Sequence, residues 1–159
     1  MTSFRPPTGP ASSTHSAYQT MDKTLLDTDI LSEVLKGHNQ TVARNAAAYR
    51  QHFGHYTLSA ITVMEVVKGL QKAQRPDRIQ ALITALAAEE VLPFDREAAQ
   101  LAGRIYGDLE RTGQPIGRAD PIVAAIALQQ NLVLITGNMK HFERILNGSV
   151  ENTCHRVAG

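Results

Sequence analysis

The run Leu132-Val-Leu-Ile135 constrains the fold more than any other feature of the chain. It is short and apolar throughout, bounded by Asn131 and Thr136. A strand with one solvated face reads apolar and polar in turn, so a strand without that alternation must be covered on both faces. Parallel sheets sandwiched between helices cover their strands in this way. Three other short segments read as strands: Thr24-Leu-Leu leading into Asp27, Tyr56-Thr-Leu-Ser59, and Val91-Leu-Pro-Phe94, where Pro93 favours an end.

Helical patterns lie between them. Ile30, Leu31, Val34 and Leu35 form a stripe closed by Gly37. Helices are expected over about 40–53, from Thr62 to about Ala73, from Pro76 to about Ala88, and from Asp95 to about Arg111. Gly113-Gln-Pro-Ile-Gly117 reads as a loop. The stretch from Pro121 to about Gln130 is apolar on nearly all sides, so it is a buried helix. A last helix runs from Asn138 to about Leu146. Helices alternating with short apolar strands give an α/β domain of three layers, α/β/α, around a short central parallel sheet of four or five strands.

Residues 1–22 differ from the rest. They hold Pro6, Pro7 and Pro10, many Ser and Thr, and no apolar periodicity. A flexible N-terminal extension is expected there, with Met21 as an alternative start, and a single folded domain over 23–159. The 43% hydrophobic content supports a globular core. A formal charge of +1 excludes a basic protein that coats polyanions, yet leaves room for a local basic rim that meets nucleic acid. Cys154 stands alone, which excludes an intramolecular disulfide and a cysteine-rich zinc site. No apolar run reaches the length of a membrane span, and no signal-peptide core is visible, so a cytoplasmic protein is the expectation.

Four polar residues fall where strands or loops give way to helices: Asp27, Glu65, Asp120 and Asn138. Each has an ordinary structural explanation. Thr62-Val-Met-Glu65 fits a capping box, Asp120-Pro121 fits an N-cap followed by proline, and Asn138 could cap the last helix. Asp29 is read as the cap of the first helix, which leaves Asp27 without such a role. In an open parallel sheet, however, strand C-termini and helix N-termini share one edge, where ligands bind. The four side chains should therefore converge. A carboxylate at the end of a buried strand, near other carboxylates, has its pKa raised unless a cation lies between them. Such an oxygen-rich site suits Mg²⁺ or Mn²⁺ and disfavours zinc.

Several neighbours are secondary candidates. Thr28 and Thr136 either orient a carboxylate or simply close strand-end hydrogen bonds. Arg118 and Lys140 flank the pocket in sequence and could meet phosphates or be solvated. Lys68 could pair with Glu65, and His141 reads as a surface residue.

Four blocks resemble a known family. They are Leu25-Leu-Asp-Thr-Asp-Ile-Leu-Ser-Glu33; Ser59-Ala-Ile-Thr-Val-Met-Glu65; Pro115-Ile-Gly-Arg-Ala-Asp120 with Ile122-Val-Ala-Ala-Ile-Ala-Leu128; and Leu134-Ile-Thr-Gly-Asn138 with Phe142. In order and spacing they resemble the PIN-domain toxins of the VapC/FitB-like group, over about residues 23–153. The resemblance implies a Mg²⁺- or Mn²⁺-dependent endoribonuclease of a type II toxin–antitoxin system. Asp27, Glu65 and Asp120 match the acidic metal ligands, Asn138 the fourth site position, and Thr136 an accompanying hydroxyl residue. It also implies a cognate antitoxin that covers the site, a homodimer, and a heterotetramer or larger assembly with the antitoxin. Two departures stand out: Glu151-Asn-Thr153 has Thr where many relatives carry Trp, and the extension before Met21 lies outside the family pattern.

Two other readings compete. A phospho-receiver also places paired acids such as Asp27 and Asp29 after its first strand, with Asp95 as acceptor, but it needs a Lys where this chain has Thr136-Gly-Asn138. A PIN-like binding protein without catalysis has no need of three carboxylates in one pocket.

Overall fold

The computed structural model describes residues 21–114, 117, 119–149 and 157–158. Most of the expected extension, Arg118, and the Glu151-Asn-Thr153 segment lie outside the described residues. Five strands form one sheet: β1 (Thr24–Leu26), β2 (Thr57–Ser59), β3 (Glu90–Leu92), β4 (Val133–Ile135) and β5 (Val157–Ala158). Their order is β3-β2-β1-β4-β5, and every pairing is parallel. Between them run α1 (Thr28–Lys36), α2 (Gln40–Phe53), α3 (Ala60–Lys72), α4 (Pro76–Leu86), α5 (Arg96–Arg111), α6 (Asp120–Gln129) and α7 (Met139–Ser149).

The alternation of side chains along each strand builds the two outer layers. Leu25 and Leu134 are register partners, and both pack with Ile105, Val123, Ile126, Phe142 and Ile145 of α5, α6 and α7. Leu26, one residue on, faces the other way and packs with Leu31 and Leu58, against Ile30, Val66, Leu86 and Ile135. The α6 helix is buried at Pro121 and from Val123 to Ala127, as its all-round apolar pattern requires. The three-layer expectation therefore holds, with each strand only two or three residues long.

The boundaries differ in physically informative ways. The third strand is Glu90–Leu92 and not Val91–Phe94, because Pro93 lacks the N–H that a ladder needs. The first two helices end as their glycines suggest: Gly37, at φ +68°, occupies the left-handed region and returns its N–H to Glu33. Three cap assignments change. Asp27, not Asp29, is the N-cap of α1; its side chain accepts from Thr28 N. Ser59, not Thr62, caps α3, accepting from Thr62 N, which places Glu65 in the second turn and outside any capping box. Ala119 precedes α6, so Asp120 is its first residue, Pro121 its second, and no side chain caps that end.

The chain steps outward from β1 through β2 to β3, then crosses back over β1 to β4. The direction of winding therefore reverses between β1 and β4, and the carboxyl edge of such a switch point is an open crevice. The pairing continues one residue past the strands, because Asp27 N donates to Ile135 O at 2.9 Å.

Leu25 is fully buried in the central strand, whereas Ile83 on α4 is half exposed. Leu25→Ala is expected to cost about 2–5 kcal/mol in urea unfolding. Ile83→Ala should stay within about 0.5 kcal/mol.

Candidate active site

Four of the sequence-selected residues lie at or beside the carboxyl ends of β1 and β4. Asp27 follows β1 directly and is only 5% exposed. Its Oδ2 accepts a hydrogen bond from Thr136 Oγ1 at 2.8 Å, and its Oδ1 accepts from Thr28 N at 2.8 Å. Thr136, fully buried, also accepts from Asn138 N at 2.9 Å. The Thr136 hydroxyl thus joins the end of β1 to the turn that enters α7. Thr28 Oγ1 donates to Glu65 Oε1 at 2.9 Å, tying α1 to α3. Thr28 therefore touches Asp27 through its backbone and Glu65 through its side chain. Both threonines orient carboxylates, the more specific of the two roles considered for them.

Asp120 reaches the same edge from α6. His141 Nδ1 lies 2.7 Å from its Oδ2. The reading of His141 as a surface residue misses this bond: its side chain, in the first turn of α7, is 42% exposed yet joined to one of the acids. No spacing in the sequence links positions 141 and 120. The available signal was topological, since the first turn after β4 opens onto the edge that gathers the other residues. Asn138 is exposed at the rim, and its carbonyl accepts from His141 N and Phe142 N. Lys140 is exposed. Lys68 forms no ion pair with Glu65; the polar partner of Glu65 is Thr28.

Asp29 has a different task from the cap expected of it. Its Oδ2 accepts from Gly137 N at 2.8 Å, pulling the β4–α7 turn onto α1. A Cβ at Gly137 would crowd that same oxygen, so a larger residue there requires the Asp29 side chain to shift.

The electrostatics are unbalanced. Burial raises the Asp27 carboxyl to about 6, and the charges of Asp29 and Asp120 add to the effect. The hydrogen bonds from Thr136 and Thr28 oppose it without cancelling it. Among the described residues no Lys or Arg pairs with Asp27, Glu65 or Asp120. Nor do three His, Cys, Asp or Glu side chains among them close into a ligand cage. The edge is therefore an acidic crevice with carboxylate oxygens held from several elements and, among the described residues, no Lys or Arg paired with them.

A folded-state pKa above the unfolded value means that ionising Asp27 opposes folding. Its contribution is complete below about pH 4 and is lost as pH rises through about 6. The cost at neutral pH is on the order of 3 kcal/mol. Asp27→Asn, studied by urea unfolding in EDTA, should be more stable than the wild type at pH 7.5. The advantage should vanish near pH 4; an equal difference at both values would contradict the assigned burial cost.

Comparison with known proteins bears on the family and the fold. The family model for the PIN domain matches residues 24–146. The chain is 32% identical over 126 residues to the tRNA(fMet)-specific endonuclease VapC of Shigella flexneri, covering 79% of this chain and 93% of that one. It is 31% identical over 135 residues to the enzyme of the same name from Salmonella typhimurium, covering 84% of this chain and all of the other. The fold resembles the crystal structure of DNA-bound VapBC from Salmonella typhimurium with a TM-score of 0.70 and 29% identity, covering 87% of this chain and 98% of that one. With the sheet, the acidic edge and these relatives in agreement, the chain belongs to the PIN domain family, in its VapC branch.

Proposed function

We propose that this chain is the ribonuclease toxin of a toxin–antitoxin pair, hydrolysing RNA phosphodiester bonds with a divalent cation at the crevice between β1 and β4. The observation that carries the reading is Asp27: a buried carboxylate, raised to about 6 by burial and by neighbouring acids, with no Lys or Arg among the described residues paired to it. A catalytic cation accounts for that charge where packing does not. Its relatives are named as endonucleases and ribonucleases. Similar solved structures are VapBC and FitAB complexes, so a cognate antitoxin is the partner this reading assigns.

The donor set fits Mg²⁺ or Mn²⁺. The acidic donors at the edge are hard carboxylate oxygens, and Mg²⁺ is held by one or two carboxylates together with waters and substrate phosphate, without a full protein cage. Asp27 and Asp120 would hold it, with Glu65 beside them. When bound, the cation supplies an activated water and offsets charge on the phosphodiester. The chain's own groups do the rest. Thr136 and Thr28 fix the carboxylates of Asp27 and Glu65 so that little reorganisation accompanies the reaction. Asn138, exposed at the rim, offers an amide to an incoming phosphate or base.

The competing readings have less support. Asp95, the acceptor a receiver would need, is instead the N-cap of α5: its carboxylate takes bonds from Ala98 N and the Gln129 side chain. No observation favours a binding-only domain.

The test is cleavage of total RNA and a tRNA fraction, initiator tRNA included because two relatives are named for it, by purified protein with Mn²⁺. Wild type should cut, and EDTA should stop it. Asp27→Asn, Glu65→Gln and Asp120→Asn should each lose at least about a hundredfold in rate. Undiminished cutting by Asp27→Asn, or in EDTA, would overturn the proposal.

A further inference from the structure

We infer that His141 is a positioning residue that holds the Asp120 carboxylate in the orientation needed to bind the cation. The inference rests on the reading of Asp120 as a metal ligand. Asp120 is the first residue of α6, where no side chain caps the helix. Its side chain is 16% exposed, and among the described residues His141 alone is hydrogen-bonded to it. An ionised carboxylate can only accept, so the hydrogen of that 2.7 Å contact belongs to Nδ1. The bond occupies Oδ2 and leaves Oδ1 without a described donor, open to the crevice chemistry.

His141 is itself stiffly placed. Its neighbour Phe142 is fully buried, and Ile145, one turn on, is buried too. Both pack in the cluster formed by α5, α6 and α7. These two neighbours fix the backbone of α7, from which the partly exposed imidazole spans to the acid on α6. The pattern repeats at the other two carboxylates. Thr136 from the end of β4 holds Asp27, and Thr28 of α1 holds Glu65. Each acid is fixed by one donor from a separate element, and His141 supplies the third. Outer partners of this kind are worth about 10- to 100-fold in metal affinity.

The experiment measures Mn²⁺ binding to the purified full chain by calorimetry, with RNA cleavage across a Mn²⁺ titration and unfolding in EDTA as companions. His141→Ala should weaken Mn²⁺ binding about 10- to 100-fold and raise the Mn²⁺ needed for half-maximal cleavage in step, with the rate largely restored at saturating metal. His141→Asn, whose amide nitrogen can stand at the Nδ1 position, should bind nearly as the wild type does. Asp120→Asn should lose the site. If His141→Ala does not fold, His141→Phe, which fills the ring's place and donates nothing, replaces it. Wild-type affinity in the donor-less variant would overturn the inference while leaving the metal site intact. So would equal weakening of a folded His141→Asn. Unchanged Mn²⁺ binding by Asp120→Asn would instead overturn the ligand assignment on which the inference stands.

Discussion

Parallel pairing of β1 with β4 is the interaction on which the rest of the molecule depends. It puts Leu25 opposite Leu134 and Leu26 opposite Ile135, so that two adjacent leucines serve two different cores. With both faces of these strands covered by helices, their polar groups can meet solvent only at the strand ends. The ladder extends through the bond from Asp27 N to Ile135 O, and this carries the Asp27 side chain to the hydroxyl of Thr136. A shift of one residue in that register would exchange the two cores and separate the carboxylate from its hydroxyl. Core packing and site geometry are therefore specified by the same pairing.

Much of this was legible in the chain because its signals are local. The uninterrupted apolar run at 132–135 announced a strand covered on both sides, and the all-round apolar pattern after Pro121 announced the central buried helix. The edge-convergence rule brought Asp27, Glu65, Asp120 and Asn138 to one end of the sheet, and Asp27 has the raised pKa expected of a buried acid among acids. What was not legible depends on contacts between elements. Whether Asp29 caps a helix or clasps Gly137 is decided by how near the β4–α7 turn comes to α1. The link from His141 to Asp120 joins two helices across the crevice and leaves no periodic trace.

The cap assignments bear on function. Read singly, Glu65 and Asp120 had adequate structural employment as a capping-box residue and an N-cap. The fold gives those tasks elsewhere or leaves them unfilled: Ser59 caps α3, and Ala119 stands at the N-cap of α6 with no side-chain cap bond. Neither acid therefore serves as a cap; Glu65 is bonded to Thr28 and Asp120 to His141. Carboxylates near the start of a helix gain about 0.3–1 kcal/mol from the dipole. That gain is small beside the cost, on the order of 3 kcal/mol, of keeping Asp27 ionised close to them.

An amide side chain at position 27 would remove that charge while leaving an acceptor beside Thr28 and Thr136 and the leucine cores undisturbed. The energetic imbalance therefore lies in charge and not in packing, and it is confined to the open edge of the switch point. Local destabilisation of this kind is characteristic of a site built for a ligand that the bare protein does not supply. On the proposed function a divalent cation would relieve it and a phosphodiester would share that cation, while the three inter-element donors already hold the acids in place. On that same reading, the arrangement that destabilises the bare protein is the same one that would prepare it to cut RNA.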